Sequence, residues 1–336
     1  MAATLLRRLS AAFALLATAS VLVLAAPAAP ASADPEGGTK TLRDALESAA
    51  KGFSDAKIKL TSSQRRQTQL QATLVQAQAS AKKLEGQVTV LAARSYRLGR
   101  FNTMSLLLNS SSPDTFLERA YRLESMAQLD AQTLAQYRQE IDLAQRAKQA
   151  IALEIKEQQK QVTILAKRKK EAEAALASVG GGAVAGGFVS ANSPLAKPAP
   201  RNSDGSWPRE SCTVDDPTTS GCLTPRLLNA YQQARSAGFK HYTSCFSQRS
   251  SGEHPKGRAC DFSANASTFK NVAATGSDRA YGNNLAAYFV KNADRLGVMY
   301  VIWFRQIWLP SSGWRAYSGS GGPSAVHTNH LHLSVL

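Results

Sequence analysis

The sequence predicts an α+β protein in three parts: a long antiparallel α-helical coiled coil, a linker, and a C-terminal α+β domain. Three observations predict it. Between residues 39 and 178 the only proline is Pro113, glycine is scarce, and Gln, Ala, Lys, Glu and Leu dominate, which is long-helix composition. Glycine and proline then cluster over 179–206, as Gly180-Gly181-Gly182, Gly186-Gly187, Pro194, Pro198 and Pro200. All four cysteines and all five histidines of the 336 residues fall beyond them, within 207–336.

Residues 1–33 read as a secretory signal peptide. Arg7 and Arg8 precede an apolar stretch over 11–26, and Ala31-Ser32-Ala33 supplies a small-x-small cleavage site. The alternative is a membrane anchor, for which the apolar run is short against a span of roughly 20 residues. The formal net charge is +16, of which the signal peptide supplies two positive charges. Export makes nucleic acid the wrong partner for this charge. Envelope polyanions or a Lys- and Arg-rich helical face account for it equally well.

Residues 39–178 form the arm. Leu70, Leu74, Leu84, Val88 and Leu91 recur at heptad-like spacing, as do Met126, Leu129, Leu134, Tyr137 and Ile141. Ser112-Pro113-Asp114 breaks the pattern, with Asp114 as the expected N-cap. Two helices of roughly 55–65 residues, folded back on each other, would each extend about 80–100 Å. Near 95–120 the sequence is more apolar and less regular, with Met104, Leu106, Leu107, Leu108, Phe116 and Leu117. This predicts a helical lobe at the tip, whose apolar residues form either its own core or a docking surface. Residues 179–206 are the linker, flexible at its glycines and extended at its prolines.

Residues 207–336 form the domain, expected to fold alone from about Ser203. A helix is predicted over 225–237, ended by Gly238, and a second over 283–296, ended by Gly297. Residues 298–308 are β-rich and 331–336 form a terminal strand. Cys212, Cys222, Cys245 and Cys260 read as disulfides in an exported domain. Three pairings are open; Cys212–Cys222 with Cys245–Cys260 is the one preferred here.

Four of the five histidines lie in two short motifs, Gly252-Glu253-His254-Pro255-Lys256-Gly257-Arg258-Ala259-Cys260-Asp261-Phe262 and His327-Thr328-Asn329-His330-Leu331-His332. A catalytic zinc takes three protein ligands and leaves one position open. Strand alternation puts His330 and His332 on one face, so one can bind metal while the other stands beside the open position. A turn at Gly257 and a strand through Ala259 and Asp261 would bring His254 and Asp261 to one point. Ordinary hydrogen-bonded surface histidines are the bland alternative, which the clustering of four into two motifs disfavours.

The first motif resembles the S-x-H-x-x-G-x-A-x-D signature of zinc peptidases related to D-Ala-D-Ala carboxypeptidases, lysostaphin-type endopeptidases and the Hedgehog zinc domain. The second resembles the H-x-x-H-x-H of penicillin-insensitive murein endopeptidases, and the domain as a whole is similar to a secreted, actinobacterial-type branch of that group. The resemblance implies a Hedgehog/DD-peptidase-like fold, Zn2+ held by His254, Asp261 and His332, catalysis by His330, and His327 as a second active-site histidine. It also implies peptidoglycan stem peptides as substrate. Arg249, five residues before His254, is placed to meet a carboxylate or a developing oxyanion, or else is a surface arginine. Carboxypeptidases of the group carry a glutamate where this chain has Asn329. That departure points to histidine-based chemistry or to a non-catalytic wall-binding module. Glu253 reads as a solvated neighbour, His241 as structural, and Trp303, Trp308 and Trp314 as core residues or a groove lining.

The arm carries a resemblance of its own. Ala93-Arg94-Ser95-Tyr96 is one residue tighter than an A-R-x-x-Y-x-x-G pattern, and it is followed by the L-L-L-N-S-S-S-P run over 106–113 and by Phe116-Leu117-Glu118-Arg119. Together they resemble the coiled coils of exported cell-wall hydrolases and their regulators that dock on the FtsE–FtsX complex. The resemblance implies a regulatory arm with an FtsX-like membrane partner.

Overall fold

Residues 39–188 and 193–336 are described in the computed structural model; the signal-peptide reading of residues 1–33 lies outside the described residues. Helix α1 spans Lys40–Leu108 and α2 spans Pro113–Ala177, packed against each other as an antiparallel pair. At 1.5 Å per residue, α1 is roughly 100 Å long. Thr39 caps α1, its side chain accepting from the Leu42 amide. The start of α2 differs in detail from the sequence expectation. Ser112 is the N-cap in a reciprocal capping box with Thr115, Pro113 occupies the first turn, and Asp114 follows it there. The serine wins because its backbone is extended while proline, with φ fixed, is suited to the first helical position.

Small residues let the helices close. Ala56, Ser63, Ala77, Ala144 and Ala147 are buried along the arm, and Leu70, Leu74, Leu84, Val88 and Leu91 are half-buried beside them. Met126 and Leu129 are exposed, so the second heptad stretch departs from the seam at its start. Register is pinned by Arg66, which bonds Glu154 through two nitrogens at 2.7 and 3.0 Å, and by the Arg94–Asp130 pair nearer the tip. The tip is a broken helix. Gly99 leaves helical geometry at φ 58°, and the chain turns over 109–112. Tyr96, Met104, Leu108, Leu117 and Tyr121 are exposed there, so these side chains build no core of their own.

The head is α+β. Strands β1 (Val214–Asp215) and β2 (Cys222–Leu223) form a small hairpin, and α3 covers Pro225–Ser236. Then come β3 (Thr243–Ser244), β4 (Ala259–Ser263), α4 (Gly276–Lys291) and α5 (Ala293–Leu296). The last strands are β5 (Val298–Trp303), β6 (Gln306–Leu309), β7 (Gly313–Ala316) and β8 (His330–Val335). Six strands make one antiparallel sheet in the order β3-β4-β8-β5-β6-β7. Helix α4 starts seven residues earlier than the sequence expectation, and Asn292 separates it from α5. The disulfides are Cys212–Cys222 and Cys245–Cys260, and no described cysteine is free. Among the described residues no helix is long and apolar enough to cross a membrane.

Strand alternation gives the sheet two differently used faces. Phe262, Leu331, Leu333 and Val335 point into a core with Leu227, Ala230, Leu285, Tyr288 and Phe289 of α3 and α4. The opposite face carries Asp261, His330, His332 and Ser334, and farther along Tyr300, Ile302, Ile307 and Leu309. The base of the arm covers that second apolar stretch. Leu42, Leu46, Ala49 and Ala50 of α1 and Ala172 and Leu176 of α2 join Met299, Tyr300, Ile302, Ile307, Leu309 and Tyr317 in one buried cluster. Arg315 of β7 bonds Glu173 of α2 at 2.6 Å beside it. The glycine- and proline-rich segment also lies against the head. Val184 bridges to Arg315 at the β7 edge, and Ala196 donates its amide to Asn292 Oδ1 at 2.8 Å.

Candidate metal centre

The first ligand segment is a single 3-10 turn, His254–Lys256, closed by Gly257. Only glycine fits at 257. Its φ is 65°, and an added Cβ would stand 2.4 Å from Cys212 Sγ and 2.8 Å from the Cys222 carbonyl oxygen. The turn returns the chain into β4, which presents Asp261 opposite His332 of β8 in the sheet register. One strand pairing and one glycine turn therefore bring His254, Asp261 and His332 together from distant positions. All three are buried, and one ligand atom from each lies within 4.8 Å of the others.

Each imidazole is oriented by its second nitrogen. His254 Nδ1–H donates to the Cys245 carbonyl, leaving Nε2 3.3 Å from Asp261 Oδ1. His332 places Nδ1 2.9 Å from Asp261 Oδ1 and Nε2 2.7 Å from Ser334 Oγ. In the tautomer that donates Nε2–H to Ser334, the Nδ1 lone pair faces the centre. Acceptors that hold the second nitrogen, here the Cys245 carbonyl and Ser334 Oγ, are the usual outer shell of metal-ligating histidines. The Cys245–Cys260 disulfide ties the carbonyl that orients His254 to the residue preceding Asp261.

His330 stands beside the three. Its Nδ1 is 2.8 Å from Asn329 Oδ1. The Asn329 amide is itself fixed, because Nδ2 donates to the Lys270 carbonyl at 2.7 Å and to Ser324 Oγ at 3.0 Å. Oδ1 must then accept, so His330 carries its proton on Nδ1 and a lone pair on Nε2. That Nε2 lies 3.6 Å from Asp261 Oδ1. His327 packs on His330 with ring centroids 4.8 Å apart, in a left-handed backbone conformation of φ 52° held by the Phe304 amide. Among the described residues, neither ring nitrogen of His327 nor Nε2 of His330 has a hydrogen-bond partner. Orphaned buried nitrogens and a strained non-glycine residue both occur at functional sites.

Protonation suits a cation. Burial pushes His327 well below the ordinary histidine value and His330 down to about 4, with the other histidines adding to the effect. Burial would raise the Asp261 carboxyl, but His254 and His330 and the hydrogen bonds from His254 and His332 outweigh it and hold it well below the usual carboxylate range. An ionised Asp261 beside neutral His327 and His330 suits a divalent metal, whose ligands must be deprotonated. The donor set of two histidine nitrogens and one carboxylate fits a metal ion.

Arg249 reaches the same centre, its guanidinium 3.8 Å from Asp261 Oδ2. Glu253 is buried, in ion pairs with Lys256 at 3.0 Å and with Arg258, rather than solvated as its sequence position suggested. The tryptophans line no wall here. Trp303 is buried in the core with Nε1 bonded to Asn283, and Trp308 and Trp314 pack at the core's margin. The aromatic flank is Phe269, 5.6 Å from His330, with the exposed Tyr242 against it. His241 stacks on Tyr281 at 3.5 Å and bonds the Ala264 carbonyl, a structural arrangement. Sequence reasoning missed the holding roles of Ser334 and Asn329. Ser334 was findable, lying two residues from His332 on the same strand face. The Asn329 role depends on the Lys270 carbonyl, which no local pattern exposes.

Residues 219–328 match the family model described as "VldE, C-terminal domain", about a third of the chain. The match contains His254, Asp261 and His327 and stops short of His330 and His332. No curated protein and no solved structure matches the chain.

Proposed function

We propose that this chain is a secreted zinc peptidase that cuts peptide bonds in peptidoglycan stem peptides, with the coiled coil as its regulatory arm. One observation carries the reading: a buried His254-Asp261-His332 group stands beside a histidine whose free nitrogen faces it. The motif resemblance to zinc peptidases supplies the reaction class, and the disulfides agree with an oxidising, extracytoplasmic compartment.

A zinc ion held by His254, Asp261 and His332 would supply Lewis acidity to the scissile carbonyl and to the attacking water. The chain supplies the rest. His330 Nε2 takes the proton of the water that attacks the carbonyl carbon and returns it to the amine nitrogen as the C–N bond breaks, while Asn329 Oδ1 keeps the opposite nitrogen protonated and the ring fixed. Arg249 meets the developing oxyanion or a substrate carboxylate, and His327 closes the inner wall. Asn329 in place of a carboxylate pointed to histidine-based chemistry or to a non-catalytic module; as the holder of His330 it supports the first.

Mass spectrometry of sacculi digested by the purified, zinc-loaded chain tests the reaction. New stem-peptide termini, absent with His330→Ala, are expected. Intact muropeptides at every enzyme level would leave only wall binding. The exposed tip suits an FtsX-like membrane partner. Unchanged capture of such an extracellular domain by both Leu107→Glu and Phe116→Glu would remove that role.

A further inference from the structure

The base of α1 has two faces with different tasks. Leu42, Leu46, Ala49 and Ala50 seat the helix on the sheet. Arg43 and Glu47, one turn apart, point along the flank toward the segment carrying His254. Arg43 is buried and donates to Ser251 Oγ at 2.6 Å. Glu47 bonds Lys256 at 2.9 Å through one carboxylate oxygen and Arg258 through the other. Lys256 and Arg258 also pair with Glu253, the residue before His254. Two carboxylates and two cations thus form a closed cluster around the ligand turn, and one of the four comes from the arm.

We propose that the arm is part of the metal centre: Glu47, supported by Arg43, is a positioning residue that holds the 251–258 turn and so sets the affinity of His254 for the metal. The inference rests on His254, Asp261 and His332 holding a metal. The physical reason is local. A 3-10 turn of three residues has little stability of its own, and its exposed Lys256, with the partly buried Arg258 that follows, pairs with the buried Glu253. Removing Glu47 leaves two cations sharing one carboxylate, and the turn loses two of its bonds to a rigid helix, keeping the one from Arg43 to Ser251. The coupling is reciprocal, so metal at His254 must also tighten the seat of α1. The arm then reports to the site through structure rather than through a tether.

The test uses the full chain with Glu47→Ala, Glu47→Gln, and Glu85→Ala on the exposed face of the arm as control. Zn2+ affinity is measured by competition with a chromophoric chelator. Backbone hydrogen exchange is followed over 40–50 and 251–258, with and without Zn2+. Glu47→Ala should bind zinc about 10–100-fold more weakly, the range typical of outer-shell changes. Glu47→Gln should lose less, since it keeps an acceptor, and Glu85→Ala nothing. In metal-free protein, exchange over 251–258 should quicken in Glu47→Ala, and Zn2+ should slow exchange over 40–50 in the wild type. Wild-type affinity in Glu47→Ala with unchanged exchange would overturn the clasp while leaving the metal centre standing. A wild type that binds no Zn2+ would remove the metal centre itself, a distinguishable result. Should Glu47→Ala melt at room temperature, the Gln variant and the wild-type exchange data decide.

Discussion

Asn329 is the residue whose meaning changed most between sequence and structure. In the linear motif it is the missing carboxylate of a peptidase. In three dimensions two acceptors, the Lys270 carbonyl and Ser324 Oγ, fix its amide so that Oδ1 accepts from His330. The candidate ligands themselves were legible, because H-x-H on a strand and a histidine before a glycine turn need only local geometry. What orients them was not, because the Cys245 carbonyl and the Lys270 carbonyl come from elsewhere in the chain. At this scale the account separates holding metal from moving protons. His330→Ala should retain zinc yet lose roughly 10²–10⁴-fold in kcat on muropeptides, the contribution of a positioned acid–base group. Zinc loss in this variant comparable to that of His332→Ala would mean that His330 is itself a ligand.

Among elements, the long helices were the most legible, since a 3.5-residue repeat, a single proline and a Ser-Pro boundary all mark them. Their breaks followed from Gly99 and the 109–112 turn. The seam was less legible. Alanine and serine close much of it, and a hydrophobic pattern does not distinguish a buried alanine from an exposed one. Least legible was the seat of α1, because an apolar residue at a helix base looks the same whether it faces its partner helix or a sheet. That seat is pH-dependent. Burial raises the Glu47 carboxyl, but hydrogen bonds from Arg258 and Lys256 outweigh it and bring it down to about 2. An unfolded glutamate titrates at about 4.3. Its folded value is depressed, so its stabilisation is fully present above about pH 4.5 and is lost as pH falls toward 2. Exchange over 40–50 should therefore quicken across that window in the wild type and change less in Glu47→Gln. Identical pH dependence in both proteins would contradict this assignment.

On the scale of the whole molecule, the arm and the head are less separate than composition suggested. The glycine and proline stretch looked like a free linker, yet its described residues add an edge pairing at β7 and bond the α4–α5 junction. The head's sheet has two apolar faces, one filled by its own helices and one by the arm. A fragment from 203 to 336 would expose Met299, Tyr300, Ile302, Ile307, Leu309 and Tyr317 together, a patch of the kind that drives association. Compared with a fragment from 39 to 336, it should bind a hydrophobic dye strongly and elute as an aggregate in size-exclusion chromatography. A monodisperse, dye-silent head would show that the arm's seat is dispensable.

The central claim is that His254, Asp261 and His332 hold one divalent metal while His330 and His327 do not. Zinc content per chain, measured by elemental mass spectrometry after zinc exposure and desalting, tests it most directly. The wild type, His330→Ala and His327→Ala should each carry about one zinc, and His254→Ala, Asp261→Ala and His332→Ala close to none, because a three-ligand site cannot spare a ligand. A zinc-free wild type, or a fully loaded His332→Ala beside an empty His330→Ala, would contradict it.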